Sequence, residues 1–251
     1  MTDRAAEIAA YLGALAWFPQ IVAWIWRAAS RAALRVRTAQ NIQIGHGGLG
    51  GVIGLNVAVS AERKDALVDR VHAMVVHERG DRREFVWSWA TENQTEMRND
   101  AGERVQMSRT QAVLAIKVAT IALAERYIGF QDESEVGGIL NGQATARIAY
   151  DTWTTAGGAD FDVFLRTPEA DSVRRDLERA FHWQAGRYAL DLVFHVVGGR
   201  KHVERFQFNI AAGDVERMRS NLGRWDENLG ALLRGGNWPN WEWAYPQLSR
   251  R

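Results

Sequence analysis

Nineteen consecutive residues near the start of the chain, Ile8 to Trp26, carry no charged side chain. A helix rises about 1.5 Å per residue, so the run IAAYLGALAWFPQIVAWIW would extend roughly 28 Å, close to the hydrocarbon thickness of a bilayer. Trp17, Trp24 and Trp26 are side chains that favour a membrane–water interface, and Arg27, Arg31, Arg35 and Arg37 come directly after the run. Asp3, Arg4 and Glu7 before the run bring little positive excess, so the positive-inside rule orients the C-terminal side of the run towards the cytoplasm. A cleaved signal peptide fits badly, because the basic residues come after the apolar run and no small-x-small site succeeds it. Pro19 removes a backbone donor, Gln20 adds a polar group, and the many alanines dilute the hydrophobicity. Three placements are therefore open: a spanning helix, a helix lying in the interface with arginines on lipid phosphates, or a helix packed on the protein or on a second copy. In either lipid placement the membrane-contacting residues are Trp17, Phe18, Trp24, Trp26, Arg27 and Arg31.

Beyond residue 33 the chain is long enough to bury a core. Its 47% hydrophobic and 24% charged residues exclude wholesale disorder. A net charge of +1 supplies no field for nucleic acid, and the absence of cysteine removes disulfides, thiolate chemistry and sulfur-bound zinc. Period-two alternation dominates. Leu34 to Ile44 alternates loosely, and after a glycine-rich turn Ile53, Leu55, Val57 and Val59 alternate with small or polar residues. Val71, Ala73 and Val75 share one face of the next strand and His72, Met74 and Val76 the other; Phe85, Trp87 and Trp89 mark its return. Residues 91–110 read as a long loop or hairpin excursion, 112–118 as a strand with a helix as competitor, and 131–158 carries little signal. Pro168 opens a short helix to about residue 180. Leu190, Leu192, Phe194 and Val196 face Phe206, Phe208 and Ile210 across a turn at Gly198-Gly199. Matching those apolar faces needs paired residues with an even sum, so the connection should have three or five residues, or a bulge.

Loops rather than crossover helices join these units, which favours an antiparallel β-sandwich in a mainly β (α+β) chain. The stretch LNVAVSAERKDALVDRVHAMVVHERGDRREFVW resembles the early strand pair of immunoglobulin-like or arrestin-like sandwiches. WQAGRYALDLVFHVVGGRKHVERFQFNI resembles their closing hairpin, with Trp183 and Tyr188 flanking Gly186. With the N-terminal helix, the combination resembles uncharacterised bacterial anchored proteins. The resemblance implies a fold and no catalytic residues, and the cysteine pair of antibody domains is missing.

At the C-terminal end Asp214 is a candidate helix cap, and Val215, Met218, Leu222, Trp225, Leu229 and Leu232 form a narrow apolar stripe. Gly235-Gly236 ends it, and the tail from Asn237 to Pro246 is dense in aromatics. Large aromatic area is costly to leave wet, so the tail either covers an open edge of the domain or meets a partner or membrane. The chain thus divides into three units: an anchor helix over 1–33, the β domain over 34–212 with a helical insertion near 168–180, and a C-terminal amphipathic helix and tail over 213–251.

Candidate chemistry is sparse. Gly45-His46-Gly47-Gly48-Leu49-Gly50 matches a dinucleotide-binding glycine pattern, but it leads into a strand rather than a helix, so a turn or bulge is the better reading. His72 and His77 are five apart on a strand and face opposite sides; the even-sum register keeps His195 from pairing with His202; His46 and His182 lack local partners. Glu125, Asp132 and Glu133 are carboxylates among 30 acidic residues and single out nothing. No cofactor, metal or nucleic-acid partner is expected. The leading expectation is a membrane-associated, non-enzymatic interaction or scaffold module that binds lipid and an unidentified protein, with a second copy as a further partner. An enzyme, such as a hydrolase with a site assembled from distant residues, or a membrane-active effector are the alternatives.

Overall fold

The computed structural model describes residues 16–25, 33–98, 104–112, 115–199 and 201–251, with side chains described outside 92–98 and 104–111. Residues 16–25 form helix α1 (16–25). The remaining apolar residues of the uncharged run, and Trp26, Arg27 and Arg31, lie outside the described residues.

Strands β1 (Ala33–Thr38), β2 (Gln43–Gly47), β3 (Gly50–Glu62), β4 (Ala66–His77), β5 (Arg82–Arg98), β6 (Arg104–Ala112), β7 (Ile116–Val118) and β8 (Ala124–Asp132) precede a helical segment. That segment comprises α2 (Glu133–Thr155), α3 (Phe161–Phe164) and α4 (Pro168–Arg179). The hairpin β9 (Gly186–Val196) and β10 (His202–Ile210) comes next, then α5 (Ala212–Ser220), a 3-10 turn (Asn221–Arg224), α6 (Trp225–Arg234), and the short strands β11 (Trp243–Ala244) and β12 (Ser249–Arg250). The twelve strands among the described residues hydrogen-bond into one antiparallel sheet. The pairing draws one curled sheet where the sequence suggested two stacked ones.

The two ends of the sheet explain its curl. The main strand order is β11-β2-β3-β8-β5-β4-β9-β10-β12, so both edges are occupied by the same C-terminal segment. Trp243 and Ala244 pair with Gly45 and Ile44, while Ser249 and Arg250 pair with Gln207 and Phe206. Between them Ile42 N donates to Pro246 O at 3.1 Å and Leu248 N to Gln40 O at 2.6 Å. A chain advances at most about 3.5 Å per residue, so edges bridged by so few residues must lie close together. The aromatic tail thus covers the open edges, with Ala244 and Leu248 buried.

Alternation builds the core. Ile53, Leu55, Val57 and Val59 of β3, Val71, Ala73 and Val75 of β4, Leu190, Leu192 and Phe194 of β9, and Phe206, Phe208 and Ile210 of β10 are buried on one face. Each such side chain contributes about 1.5–3 kcal/mol when fully buried. The β9–β10 pairs Leu190↔Phe206 and Tyr188↔Phe208 have even sums, and the connection runs over 197–201, five residues, one of the lengths that face matching allows. Residues 91–110 are largely a strand hairpin, β5–β6, and residues 116–118 a strand.

Four expectations need correction. A bulge between Trp87 and Trp89 breaks the expected stripe: Phe85 and Trp87 face the core, the next core residue is Ala90, and Trp89 turns to the outer face over Gly129. Residues 131–158 hold the longest helix among the described residues, α2, and carry little sequence signal because few of its residues are both apolar and buried; Ile139, Gln143 and Ala146 are its buried positions. Its start is legible, since Asp132 caps it with Glu133 and Glu135 in the first turn. The C-terminal stripe is split. Val215 and Met218 enter the sheet core, whereas Leu229 joins a second cluster with Ile139, Phe161, Phe164, Val173 and Leu177. The cap of α5 is Ala211, and Asp214 accepts from its backbone N–H at 3.4 Å.

Candidate functional site

In α1, Trp17 and Phe18 are 63% exposed and Trp24 is 71% exposed. At about 100° per residue, Trp17, Phe18, Ile21, Val22, Trp24 and Ile25 share an arc of roughly 160°, and Ala16, Pro19, Gln20 and Ala23 fill the rest. All ten residues of α1 are exposed. No helix among the described residues is long and apolar enough to cross a membrane.

The glycine-rich run is a hairpin, β2–β3, closing at Gly47↔Gly50 with Gly50 at φ +88°. Its carbonyls are capped by side chains from distant elements. Trp183 Nε1 donates to Gly45 O at 2.8 Å, Asn221 Nδ2 to His46 O at 2.9 Å and Gln143 Nε2 to Gly48 O at 2.8 Å. Gly45 is required because the Trp243 ring lies where a Cβ would project. These contacts, absent from any local motif, make the segment a structural hub and leave no open phosphate cradle.

His46 sits inside this hub, 1% exposed, edge-on to Phe181 at 5.3 Å. Neither ring nitrogen makes a hydrogen bond. Burial first, then the nearby His182, lowers its pKa to about 4, against a smaller upward pull from the Leu177 carbonyl. His182 behaves alike. Burial and the Arg83 charge lower it to about 4, while Ala180 O, 3.0 Å from Nδ1, and Asp132 pull upward. Both imidazoles are neutral at pH 7. The Cε1 edge of the His182 ring faces Gly51, where a Cβ would stand 2.5 Å from Cε1, and Nε2 makes no hydrogen bond.

His182 borders a polar cleft of about 780 Å³ between the end of β4, the start of β5, the first turn of α2 and the 181–184 segment. Asp132, 1% exposed, bonds to two of its lining residues, Arg83 and Ser134. Burial alone would raise this carboxyl, yet hydrogen bonds from Ser134 and Arg83 hold it below the usual range. Arg83 Nη1 donates to Asp132 Oδ2 at 2.9 Å and lies 3.5 Å from Glu135; Ser134 Oγ donates to Asp132 Oδ1 at 2.6 Å. The carboxylate is fully committed to orienting neighbours. Sequence reading missed this cluster, because Arg83, Asp132 and His182 are about fifty residues apart and only the cap signal at Asp132 was local.

On the outer face of the sheet, a second cavity of about 430 Å³ lies between the hairpin, α2, α6 and the tail. Trp89, Trp238, Trp241 and Trp243 line it with Leu140, Leu232 and the amides of Gln143 and Asn228.

The histidines fall as strand parity requires. His77 is buried, while His72 lies on the outer face beside Glu84, its ring 5.2 Å from His195. His202 stands opposite Phe194 and contacts Glu204 at 3.0 Å. Among the described residues no three His, Asp or Glu side chains converge as a metal site. No family model matches the chain, and no curated protein and no solved structure is detectably similar to it.

Proposed function

We propose that the protein is a non-enzymatic recognition module held at a membrane surface by its N-terminal helix. The observation that carries this reading is α1, whose six large apolar side chains are between 47% and 71% exposed on one arc. Burying such a side chain is worth about 1.5–3 kcal/mol, so together they favour an apolar phase by roughly 10 kcal/mol. A one-sided arc suits a helix lying in the interface better than one ringed by lipid. Arg27, Arg31, Arg35 and Arg37 come after it in sequence; on β1 Arg35 is paired with Glu62, and the exposed Arg37 adds attraction to anionic headgroups. The same arginines favour a cytoplasm-facing domain. The non-enzymatic part is supported by the polar cleft: Asp132 is engaged with Arg83 and Ser134, and the His182 ring is buried with its Cε1 edge against Gly51.

Vesicle co-flotation tests the reading. The full chain should float with phosphatidylcholine–phosphatidylglycerol vesicles, and the Trp17→Asp/Trp24→Asp variant should stay behind with an unchanged far-UV spectrum. Equal partitioning of the two overturns the membrane role. A concentration-dependent dimer lost in the same variant would identify a second copy as what covers α1.

A further inference from the structure

The tryptophan-lined cavity on the outer face contains a feature that packing alone does not explain. Asn228, in α6, lines it and is 2% exposed, yet its Nδ2 has no hydrogen-bond partner. An unmet buried amide costs about 1–3 kcal/mol, and an acceptor brought into the cavity that Asn228 lines would offset that cost. The neighbouring amide of Gln143 is already engaged with Gly48 O at 2.8 Å and is not available. The walls are the rings of Trp89, Trp238, Trp241 and Trp243, and among the described residues no charged side chain lines the cavity. Its volume, about 430 Å³, lies within the usual range for small-molecule sites.

Two elements, β5 and the tail, hold Trp89 and Trp243 independently of any ligand. Trp89 is turned outward by the β5 bulge and lies over Gly129, and Trp243 lies over Gly45 as part of the edge-closing tail. Trp238, 61% exposed, stands at the rim. A charged ligand would lose its hydration here and find no counter-charge. A neutral one would gain aromatic contact and a donor.

We infer that this groove binds a neutral, largely apolar small molecule carrying one hydrogen-bond-accepting oxygen, which Asn228 Nδ2 engages. The inference stands apart from the membrane reading, since it uses neither α1 nor the arginines.

Prodan, a neutral naphthalene ketone, is a suitable probe for the full chain in lipid-free buffer. Tryptophan-sensitised, blue-shifted emission should saturate at one Prodan per chain. Trp238→Ala, at an exposed rim position, should weaken binding about tenfold with an unchanged far-UV spectrum. Leu140→Arg, which introduces charge at a half-exposed lining position, should do the same. Asn228→Leu should weaken Prodan several-fold while leaving the ketone-free dimethylaminonaphthalene unaffected. Trp17→Asp/Trp24→Asp should titrate like the native chain. Absence of saturable binding overturns the inference, as does native-like titration by both Trp238→Ala and Leu140→Arg. Loss of binding in the α1 variant instead places the probe on that helix. Binding that appears only in the α1 variant makes the chain's own helix the occupant. Either result also overturns it.

Discussion

The two ends of the chain are both rich in tryptophan, and they reach different surroundings. In α1, Trp17 and Trp24 remain exposed. In the tail, Trp241 and Trp243 lie against the β2–β3 hairpin, and the backbone around them completes the sheet. The difference lies in the backbone more than in the rings. A helix satisfies its own amides and needs no edge to pair with, so its apolar face is free to seek lipid or another chain. An extended tail cannot satisfy its amides alone, so it docks where strands offer unpaired groups. Glycines at the receiving strand then let the rings lie close to the sheet.

Among changes to the chain itself, removing the tail should show the largest effect. Deleting residues 243–251 exposes both edges, forfeits the burial of Leu248 and breaks the ladder with β2 and β10. A loss of about 5 kcal/mol is expected, read as a fall in Tm of roughly 10–20 °C. An unchanged Tm would show that the sheet does not depend on closure.

Acid should act next, through the hairpin that receives the tail. His46 and His182 titrate at about 4 when folded and near 6.5 when unfolded. As pH falls below 6.5 the unfolded chain binds protons that the folded chain refuses. Stability is therefore full above that value and is lost between pH 6.5 and 4, by about 3 kcal/mol for each histidine. Urea unfolding across this window should show the decline, and His46→Phe should remove about half of it. A flat profile would mean that neither imidazole is held neutral.

A smaller loss is expected where ring and strand meet. Gly45→Val places side-chain carbon where the Trp243 ring lies, and overpacking of this kind costs about 1–3 kcal/mol. Chemical denaturation should register it, together with increased solvent quenching of tryptophan. The smallest stability effect belongs to the other end. Trp17→Ala/Trp24→Ala should change unfolding free energy by less than about 0.5 kcal/mol while reducing vesicle binding. A large destabilisation there would erase the contrast between the termini.

Much of the strand framework was legible locally. Ile53 to Val59, Val71 to Val75 and the 190–210 hairpin emerge from alternation, and the even-sum register of that hairpin from parity. The helix α2 was not, because its single buried stripe includes Gln143 and small residues whose burial depends on what covers them. Of the candidate site, the exposed face of α1 was legible as an apolar run. The Arg83–Asp132–His182 cluster and the tryptophan groove were not, since each assembles side chains that share no neighbourhood in sequence.

By itself the sequence determined where apolar faces exist, because side-chain period is a local property of helix and strand. Tertiary structure alone decided where those faces go. It turned Trp89 outward with one extra residue in β5, divided the stripe from Val215 to Leu232 between two cores, and drew one C-terminal segment along both edges of the sheet. Each of these depends on which unpaired backbone groups and which glycine surfaces meet after folding. No window of the sequence contains both partners.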